Sequence, residues 1–427
     1  MHLHIVTAGQ TLYSIARQYG LHPGLIARQN GLREPYRLAV GQCLLILQPR
    51  AVYTVRAGDT LYAIAQRFGT DVKTLWRNNP NLSGGTMLYP GQTLVLSQES
   101  MRTHTASALG YAYTNVQEPV LRGILPYASV LCPFTYGIAE DGGLIAPADA
   151  GLTALALEYG VQTLLHLSTL TEGGGFSALH ARAVLEDEGR RARLIAETVA
   201  QMRRGGYGGV DVDFEFLGAE LADAFAAFLG ELRAAVNAAG GVLVCALAPK
   251  TSADQPGALY EGHDYRRLGE NADAVLLMTY EWGYTYGPAM AVAPIGAVRR
   301  VVEYALTEIP AGKILLGFPN YAYDWTLPYA AGESRAQSLG NEAAAALAAQ
   351  MGAEIRFDEA AQTPYFTYTD RAGAIHEVWF EDPRSCAAKY DLVQEFSLRG
   401  LGYWNFMRPF TAAFALLNAR FTILPGV

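Results

Sequence analysis

Cysteine is scarce in this chain of 427 residues, and it lacks the usual metal-binding patterns of cysteine and histidine. The four cysteines, Cys43, Cys132, Cys245 and Cys386, are far apart and form no CxxC pair. The eight histidines form no HExxH motif and no cluster of ligands. We therefore expect neither a disulfide framework nor a metal site, and we expect the cysteines to be buried thiols.

Charged residues make up only 17% of the sequence, and long apolar runs are also missing. The longest uncharged stretch, residues 123–139, contains two prolines and several polar residues, which argues against a membrane-spanning helix. A structured pattern begins by His4, without the basic and apolar segments of a signal peptide, so we expect any export to follow another route. The 51% of hydrophobic residues predicts a well-packed globular protein.

The formal net charge of −8 conceals a difference between the two ends of the chain. Residues 1–98 contain nine arginines or lysines and three acidic residues, so this part carries +6 and the remainder carries −14. A basic segment favours an anionic polymer surface, although solvated charged faces are a commoner explanation. The acidic remainder would repel nucleic acid, so we expect no nucleic-acid partner.

Two segments near the N-terminus repeat one pattern 49 residues apart. Residues 4–20 (HIVTAGQTLYSIARQYG) and 53–69 (YTVRAGDTLYAIAQRFG) share nine of seventeen residues, which indicates a tandem repeat. Each copy predicts a short strand, a helix with Thr11 or Thr60 as its N-cap, a second helix that ends near Asn30 or Asn79, and a closing strand. The predicted unit is βααβ.

The repeat resembles the LysM module, most closely at residues 57–65 (AGDTLYAIA), 78–81 (NNPN) and 89–92 (YPGQ). The resemblance implies two LysM modules, at residues 1–48 and 51–97, that bind glycans containing N-acetylglucosamine, such as peptidoglycan and chitin. The alternative is that the pair only anchors or spaces the chain, because a domain this small gains its stability mainly from its little core.

From about residue 104 the pattern changes to alternating strands and helices. Eight strands are predicted, at residues 106–112, 130–136, 162–167, 209–215, 242–247, 274–280, 314–318 and 400–404. Helices are predicted between them, for example at 187–203, 219–239, 288–308 and 385–398. This order predicts an α/β fold, a (β/α)8 TIM barrel over residues 104–427, with catalytic side chains at the C-terminal ends of its strands.

The connection after the seventh strand is too long for a simple loop. Residues 341–351 have a helical pattern, and residues 354–357, 365–368 and 376–380 have strand patterns. We therefore predict a small α+β insertion at about residues 320–382 that forms a wall of the substrate groove.

Three carboxylates alternate with apolar residues in the segment 208–216 (GGVDVDFEF). A strand would present Asp211, Asp213 and Glu215 on one face and the apolar residues on the other. The apolar face suits a layer of helices, which directs the carboxylates into the barrel, where unpaired charge is costly. An antiparallel strand with a solvated acidic face would explain the pattern too, but the β/α order favours a functional role, with Glu215 at the end of the fourth strand.

The run 208–215 (GGVDVDFE) resembles the DGxDxDxE signature of glycoside hydrolase family 18, and residues 278–280 (MTY) and Trp404 support the resemblance. It implies hydrolysis with retention and without metal or cofactor. Glu215 would protonate the glycosidic oxygen, while the 2-acetamido oxygen of the substrate attacks the sugar.

The same resemblance implies roles for the other residues of the site. Asp213 would orient the acetamido group, Asp211 would share charge with Asp213, and Tyr280 would hydrogen-bond the acetamido oxygen. Aromatic residues at strand ends suit stacking on sugar faces. The candidate substrate-binding residues are Trp404, as the floor under the reacting sugar, and Met278, Trp282, Tyr284 and Tyr136.

The sequence departs from the family pattern at three places. Gly208 replaces the first aspartate of the signature, Glu281 follows Tyr280 where aspartate is usual, and residues 168–170 (STL) lack the usual SxGG. These departures shift the expectation away from ordinary chitinases.

Residues 278–295, 317–327 and 377–383 resemble the spore cortical fragment-lytic enzymes, which also carry two LysM modules before the barrel. The resemblance implies a β-N-acetylglucosaminidase that acts on cortex peptidoglycan and its muropeptides during germination. It also implies a location in the coat or cortex region of a bacterial spore, reached from the mother cell without a signal peptide. The alternatives are a non-catalytic glycan-binding coat protein and a chitinase acting on chitin oligomers.

Overall fold

The computed structural model describes residues 1–170 and 177–427. Its N-terminal part consists of two βααβ units, as the repeat predicts. Their elements are β1 (His2–Ile5), α1 (Leu12–Tyr19), α2 (Pro23–Gln29) and β2 (Cys43–Ile46), then β3 (Pro49–Thr54), α3 (Leu61–Arg67), α4 (Val72–Asn78) and β4 (Thr93–Gln98). In each unit the two strands pair antiparallel.

Repeated residues have repeated structural roles in these units. Thr11 and Thr60 cap their helices, as predicted, because each side chain accepts a hydrogen bond from the backbone N–H three residues further on. The buried side chain of Asn30 exchanges hydrogen bonds of 2.7 and 2.8 Å with the backbone of Leu45. Asn79 makes the equivalent pair of bonds, both 2.8 Å, with Val95. The two asparagines therefore satisfy backbone groups inside each small core.

The C-terminal part contains the strands of the barrel and its insertion. These strands are β5 (His104–Tyr113), β6 (Val130–Phe134), β7 (Gly137–Ile138), β8 (Leu144–Ile145), β9 (Gln162–Thr163), β10 (Leu165–Ser168), β11 (Gly209–Asp213), β12 (Val242–Leu247), β13 (Ala274–Leu277), β14 (Ile314–Pro319), β15 (Ala322–Leu327), β16 (Gln337–Leu339), β17 (Arg356–Asp358), β18 (Thr363–Thr369), β19 (Ile375–Trp379), β20 (Gly400–Trp404) and β21 (Phe421–Ile423).

The helices of this part lie mainly between the barrel strands. They are α5 (Glu118–Ile124), α6 (Ala150–Glu158), α7 (Ala178–Glu186), α8 (Glu188–Gly205), α9 (Ala222–Ala238), α10 (Ala258–Glu261), α11 (Tyr265–Glu270), α12 (Ile295–Glu308), α13 (Asn341–Met351), α14 (Pro383–Glu395) and α15 (Thr411–Arg420). Within the described residues, no helix has the length and apolar character needed to cross a membrane. The four cysteines are buried free thiols, as predicted.

The barrel strands run parallel in the order β10-β11-β12-β13-β14-β20-β5-β6-β9. Leu164 alone separates β9 from β10, and β9 pairs with β6 whereas β10 pairs with β11. These nine segments therefore occupy eight strand positions of a nearly closed parallel barrel, and helices pack around it. The predicted (β/α)8 barrel is confirmed.

Three barrel strands end earlier than their sequence patterns predict, namely β6, which ends at Phe134, and the two strands that precede Glu215 and Tyr280. β11 ends at Asp213, because the carbonyl of Phe214 accepts a 2.9 Å hydrogen bond from His263 Nε2 rather than from a neighbouring strand. β13 ends at Leu277, because the N–H groups of Thr279 and Tyr280 bond to carbonyls two residues back. Glu215 and Tyr280 therefore lie on the loops just after these strands, which corrects the prediction that Glu215 ends its strand.

The insertion after β14 contains more strands than predicted. Its sheet is antiparallel, in the order β16-β15-β19-β18-β17, and its helix α13 occupies the predicted residues. The three predicted strands correspond to β17, β18 and β19, whereas β15 and β16 are additional. Tyr323 and Trp325 on β15 belong to an apolar cluster that contacts Trp404, so the insertion forms a wall at the barrel mouth.

The two N-terminal units pack directly against the barrel. Leu45 and Leu47 are fully buried in the same apolar core as the barrel helices. The second unit adds a hydrogen bond from Arg77 Nε to the carbonyl of Pro126 and one from the Tyr127 hydroxyl to the carbonyl of Arg77, both 2.7 Å. These units are therefore connected to the barrel by a packed interface as well as by the polypeptide chain.

Candidate active site

The three predicted carboxylates follow one another along β11 and the loop after it. Asp211 and Asp213 are buried, at 0% and 8% exposure, whereas Glu215 is partly exposed. Val210 and Val212 point the other way, into the apolar core that includes the surrounding helices. The alternation predicted from the sequence therefore places Asp211 and Asp213 inside the barrel.

His166 is a site residue that the sequence analysis missed. It lies on β10 opposite Asp211, and its Nδ1 is 2.7 Å from the Asp211 carboxylate. Its Nε2 lies 3.8 Å from the carboxylate of Asp213. The ring is fully buried, stacked on Phe134 at 4.9 Å and edge-on to Tyr111 at 5.1 Å. The histidine thus bridges two of the three carboxylates from the neighbouring strand.

Burial and mutual repulsion change the acidity of these carboxylates. Burial is the main cause that raises the pKa of Asp213, to about 8, and the nearby Glu215 adds to it, while His166 acts in the opposite direction. Burial also raises the pKa of Glu215. Two neighbouring carboxylates of this kind retain a proton between them near neutral pH. The site therefore has a proton available for acid catalysis.

A cavity of about 150 Å³ opens beside Glu215, and we call it the acidic cavity. It brings together the predicted residues Glu215, Met278, Tyr280 and Trp282. Its lining consists of Glu215, Pro249, Leu259, Tyr260, Met278, Tyr280, Glu281 and Trp282. Burial, followed by the charge of Asp213, raises the pKa of the Tyr280 hydroxyl well above its ordinary value, so this hydroxyl stays protonated and able to donate.

A second cavity, of about 400 Å³, opens beside Trp404, and we call it the tryptophan cavity. Its lining consists of Tyr113, Asn115, Tyr321, Tyr323, Ser338, Trp404, Asn405, Met407 and Arg408. The Trp404 ring packs against the rings of Phe134, Tyr111 and Tyr113 at 5.1, 5.5 and 6.1 Å. An aromatic platform held in this way suits the apolar face of a sugar ring.

Two predicted substrate-binding residues, Tyr136 and Tyr284, line neither of the two cavities. Tyr136 is only 1% exposed, and its hydroxyl bonds to Tyr207 at 3.2 Å and to Gln201 at 3.0 Å, so it packs beneath the helix layer. Tyr136 therefore lines neither the acidic cavity nor the tryptophan cavity. Tyr284 is 43% exposed and lies edge-on to Tyr286 on the loop after β13, outside both cavities.

The sequence matches the family model "Glycosyl hydrolases family 18" over residues 150–408 and the model "LysM domain" over residues 4–46 and 53–97. It is 44% identical over 310 residues to the cortical fragment-lytic enzyme of Bacillus subtilis (strain 168), covering 73% of this chain and 72% of that protein. It is 35% identical over 421 residues to the cortical fragment-lytic enzyme of Bacillus anthracis, covering 98% of each chain.

The crystal structure of the Bacillus megaterium QM B1551 spore cortex-lytic enzyme SleL is similar along its whole length. The TM-score is 0.84 at 36% identity, and the match covers 100% of this chain and 99% of that one. The family match spans more than half of the chain and includes the carboxylate row, and the barrel agrees with it. The chain therefore belongs to glycosyl hydrolases family 18, and it is a glycoside hydrolase that carries two LysM domains at its N-terminal end.

Proposed function

We propose that the protein is a β-N-acetylglucosaminidase that hydrolyses spore cortex peptidoglycan fragments containing muramic δ-lactam. The names of the relatives support the substrate class, because two are cortical fragment-lytic enzymes and one is a spore cortex-lytic enzyme. The same names support a place in the coat or cortex region of a spore and action during germination. The LysM domains support peptidoglycan as the partner.

The proposed reaction proceeds in two steps with retention at the anomeric carbon. Glu215 first donates its proton to the glycosidic oxygen, so the bond from that oxygen to C1 breaks while the 2-acetamido oxygen of the same sugar bonds to C1. Water then attacks C1 and gives a proton to the Glu215 carboxylate, which restores the acid and releases the acetamido group. No second protein carboxylate attacks the sugar.

Three neighbours would prepare the acetamido group for attack. Asp213 accepts a hydrogen bond from the acetamido N–H and stabilises the positive charge of the cyclic intermediate. Tyr280 donates a hydrogen bond to the acetamido oxygen and holds it beneath C1. Asp211, held by His166 at 2.7 Å, would share charge with Asp213. Trp404 supports the sugar whose bond is cut.

The observation that carries the proposal is the pair formed by Asp213 and Glu215. Burial of Asp213 beside Glu215 raises the pKa of Asp213 to about 8, so the pair binds a proton near neutral pH. Glu215 also lines the acidic cavity, where a glycosidic oxygen has access to it. A non-catalytic glycan-binding protein would have no use for such a pair, because burying it lowers stability.

The test identifies the bond that is cut. Purified cortex is digested, the new reducing ends are labelled with borohydride, and the products are analysed by mass spectrometry. We expect reducing N-acetylglucosamine, because the nitrogen of muramic δ-lactam is tied into its ring and its carbonyl cannot reach C1. Muramic acid or muramic lactam at the new ends would contradict the mechanism. Absence of turnover would support the binding protein, and faster cleavage of chitin oligomers would support the chitinase.

A further inference from the structure

Glu281 is a second carboxylate in the acidic cavity, beside Glu215. It follows Tyr280 and has φ of 68°, a left-handed conformation that is unusual for glutamate. Such a conformation persists where its surroundings fix it. It directs the Glu281 side chain toward the insertion, where two tyrosines meet it.

The two tyrosines hold the carboxylate in place. The hydroxyl of Tyr321 donates to Glu281 Oε1, and the hydroxyl of Tyr323 donates to Oε1 at 3.1 Å and to Oε2 at 3.3 Å. Both tyrosines are 6% exposed, and their rings lie edge-on at 5.4 Å. A carboxylate accepts about four hydrogen bonds. The Glu281 carboxylate can therefore accept one more hydrogen bond, from a ligand. The two tyrosine hydroxyl protons are already donated to Glu281 and are not available to a ligand.

The two cavities differ in charge. Among the described residues, the lining of the acidic cavity includes the carboxylates Glu215 and Glu281 but no lysine or arginine. Pro249, Leu259 and Met278 provide apolar walls there. The tryptophan cavity is lined by Arg408 and by no carboxylate among the described residues. A negatively charged ligand would thus meet the Glu281 carboxylate in the first cavity and a cation in the second.

The proposed function predicts which sugar of the glycan binds in each cavity. Glu215 protonates the oxygen that leaves and Tyr280 holds the acetamido group of the sugar that reacts, so the bond that is cut lies between these two residues of the acidic cavity. The leaving sugar then occupies the rest of that cavity. The sugar that reacts lies over Trp404. In a glycan that alternates N-acetylglucosamine with muramic residues, the leaving sugar is a muramic residue whenever N-acetylglucosamine reacts.

We propose that Glu281 is a specificity-determining residue that selects a neutral sugar, muramic δ-lactam, on the leaving side and rejects a muramic residue that carries a free carboxylate. This inference rests on the proposed function. The lactam has no carboxylate, because its acid group is joined to its own amine, and it presents N–H and O–H donors that Glu281 accepts. A free carboxylate would be repelled by Glu281 and would find no cation to pair with.

The experiment compares two substrates that differ only in the leaving sugar. One joins N-acetylglucosamine to muramic δ-lactam, and the other joins it to N-acetylmuramic acid, whose amine is neutral and whose lactyl carboxylate is free. The ratio of their kcat/KM values is measured at pH 7 for the full-length protein, for Glu281→Gln and for Glu333→Gln. The control Glu333→Gln removes the same charge from an exposed position on the insertion.

We expect the unchanged protein to prefer the lactam. Glu281→Gln should lower this preference about 10-fold, because it removes the repulsion between two nearby carboxylates. Glu333→Gln should keep the original ratio. A ratio unaffected by Glu281→Gln would overturn the inference, as would a preference for the carboxylate substrate. Cleavage of neither substrate by the unchanged protein would instead count against the proposed function.

A binding measurement keeps the test valid if Glu281→Gln is too slow to assay. The dissociation constants of both substrates are measured for Glu215→Gln, with and without Glu281→Gln. The proposal requires the lactam preference to fall about 10-fold in the double variant. Equal preferences in the two proteins would overturn it, whatever the rates of hydrolysis.

Discussion

The change Asp213→Asn should make the folding stability less dependent on pH between about 5 and 9. Burial and Glu215 raise the pKa of Asp213 from 3.8 to about 8, so between these values the folded protein holds a proton that the unfolded chain has lost. Stability from this group is therefore fully present below pH 3.8 and is lost as the pH rises toward about 8. Asparagine keeps the shape of the side chain and has no proton to lose.

The expected change in the free energy of unfolding follows from the raised pKa of Asp213. A rise in the pKa of Asp213 from 3.8 to about 8 can change the free energy of unfolding by at most about 6 kcal/mol. Because Asp213 and Glu215 share the proton, part of the effect remains with Glu215. We expect wild-type protein to lose about 2–3 kcal/mol more than Asp213→Asn over this pH range.

Urea unfolding at pH 5, 7 and 9, followed by tryptophan fluorescence, measures this difference. Asp254→Asn is the control, because it removes a carboxylate from an exposed loop. It should follow the wild-type curve. Parallel curves for wild type and Asp213→Asn would refute the reasoning, because Asp213 would then titrate alike in the folded and unfolded chains.

Glu215→Gln should lower hydrolysis by ~10²–10⁴-fold and leave peptidoglycan pelleting unchanged, because it removes the proton donor and keeps its shape; turnover at the wild-type rate would exclude Glu215 as the acid. Asp213→Asn should slow soluble-fragment cleavage nearly as much while circular dichroism stays native, because its role is to orient the acetamido group and stabilise charge; an active variant would contradict that role. Residues 99–427 alone should cleave small soluble fragments but pellet less with insoluble peptidoglycan, because they lack the LysM domains. They should also melt at a lower temperature, since removal of Leu45 and Leu47 uncovers apolar barrel surface; equal pelleting and melting would contradict this.

The sequence predicts those parts of the site that depend on periodicity. Strand alternation suffices to place Asp211 and Asp213 inside a barrel, because successive side chains point to opposite faces. The limits of a strand depend on distant partners instead. His263, whose side chain donates a hydrogen bond to the carbonyl of Phe214, lies 49 residues further along the chain. Local pattern therefore predicts Glu215 as a strand residue although it lies on a loop.

Single polar residues in apolar strands are harder to interpret. His166 lies on the buried strand β10, Tyr136 follows the buried strand β6, and neither belongs to a motif. The register between β10 and β11 brings His166 to Asp211, whereas Tyr136 meets Gln201 and Tyr207 under the helices. The alternation of His166 with apolar neighbours was a possible signal, since it puts a histidine on the inner face of the barrel. Only the pairing of strands identifies its partner.

The departures from the family 18 signature have different consequences, because they lie at opposite ends of the barrel. Gly208 precedes β11, and its N–H donates to the carbonyl of Thr163 at 2.8 Å, while any side chain there would meet Gln162. That is the N-terminal end, which serves stability rather than catalysis in these barrels. Ser168 ends β10 and Glu281 lies on the loop after β13, both at the C-terminal end of the barrel, and Glu281 lines the cavity that contains Glu215. Differences in specificity from enzymes with the full signature should therefore be sought at residue 281 and not at residue 208.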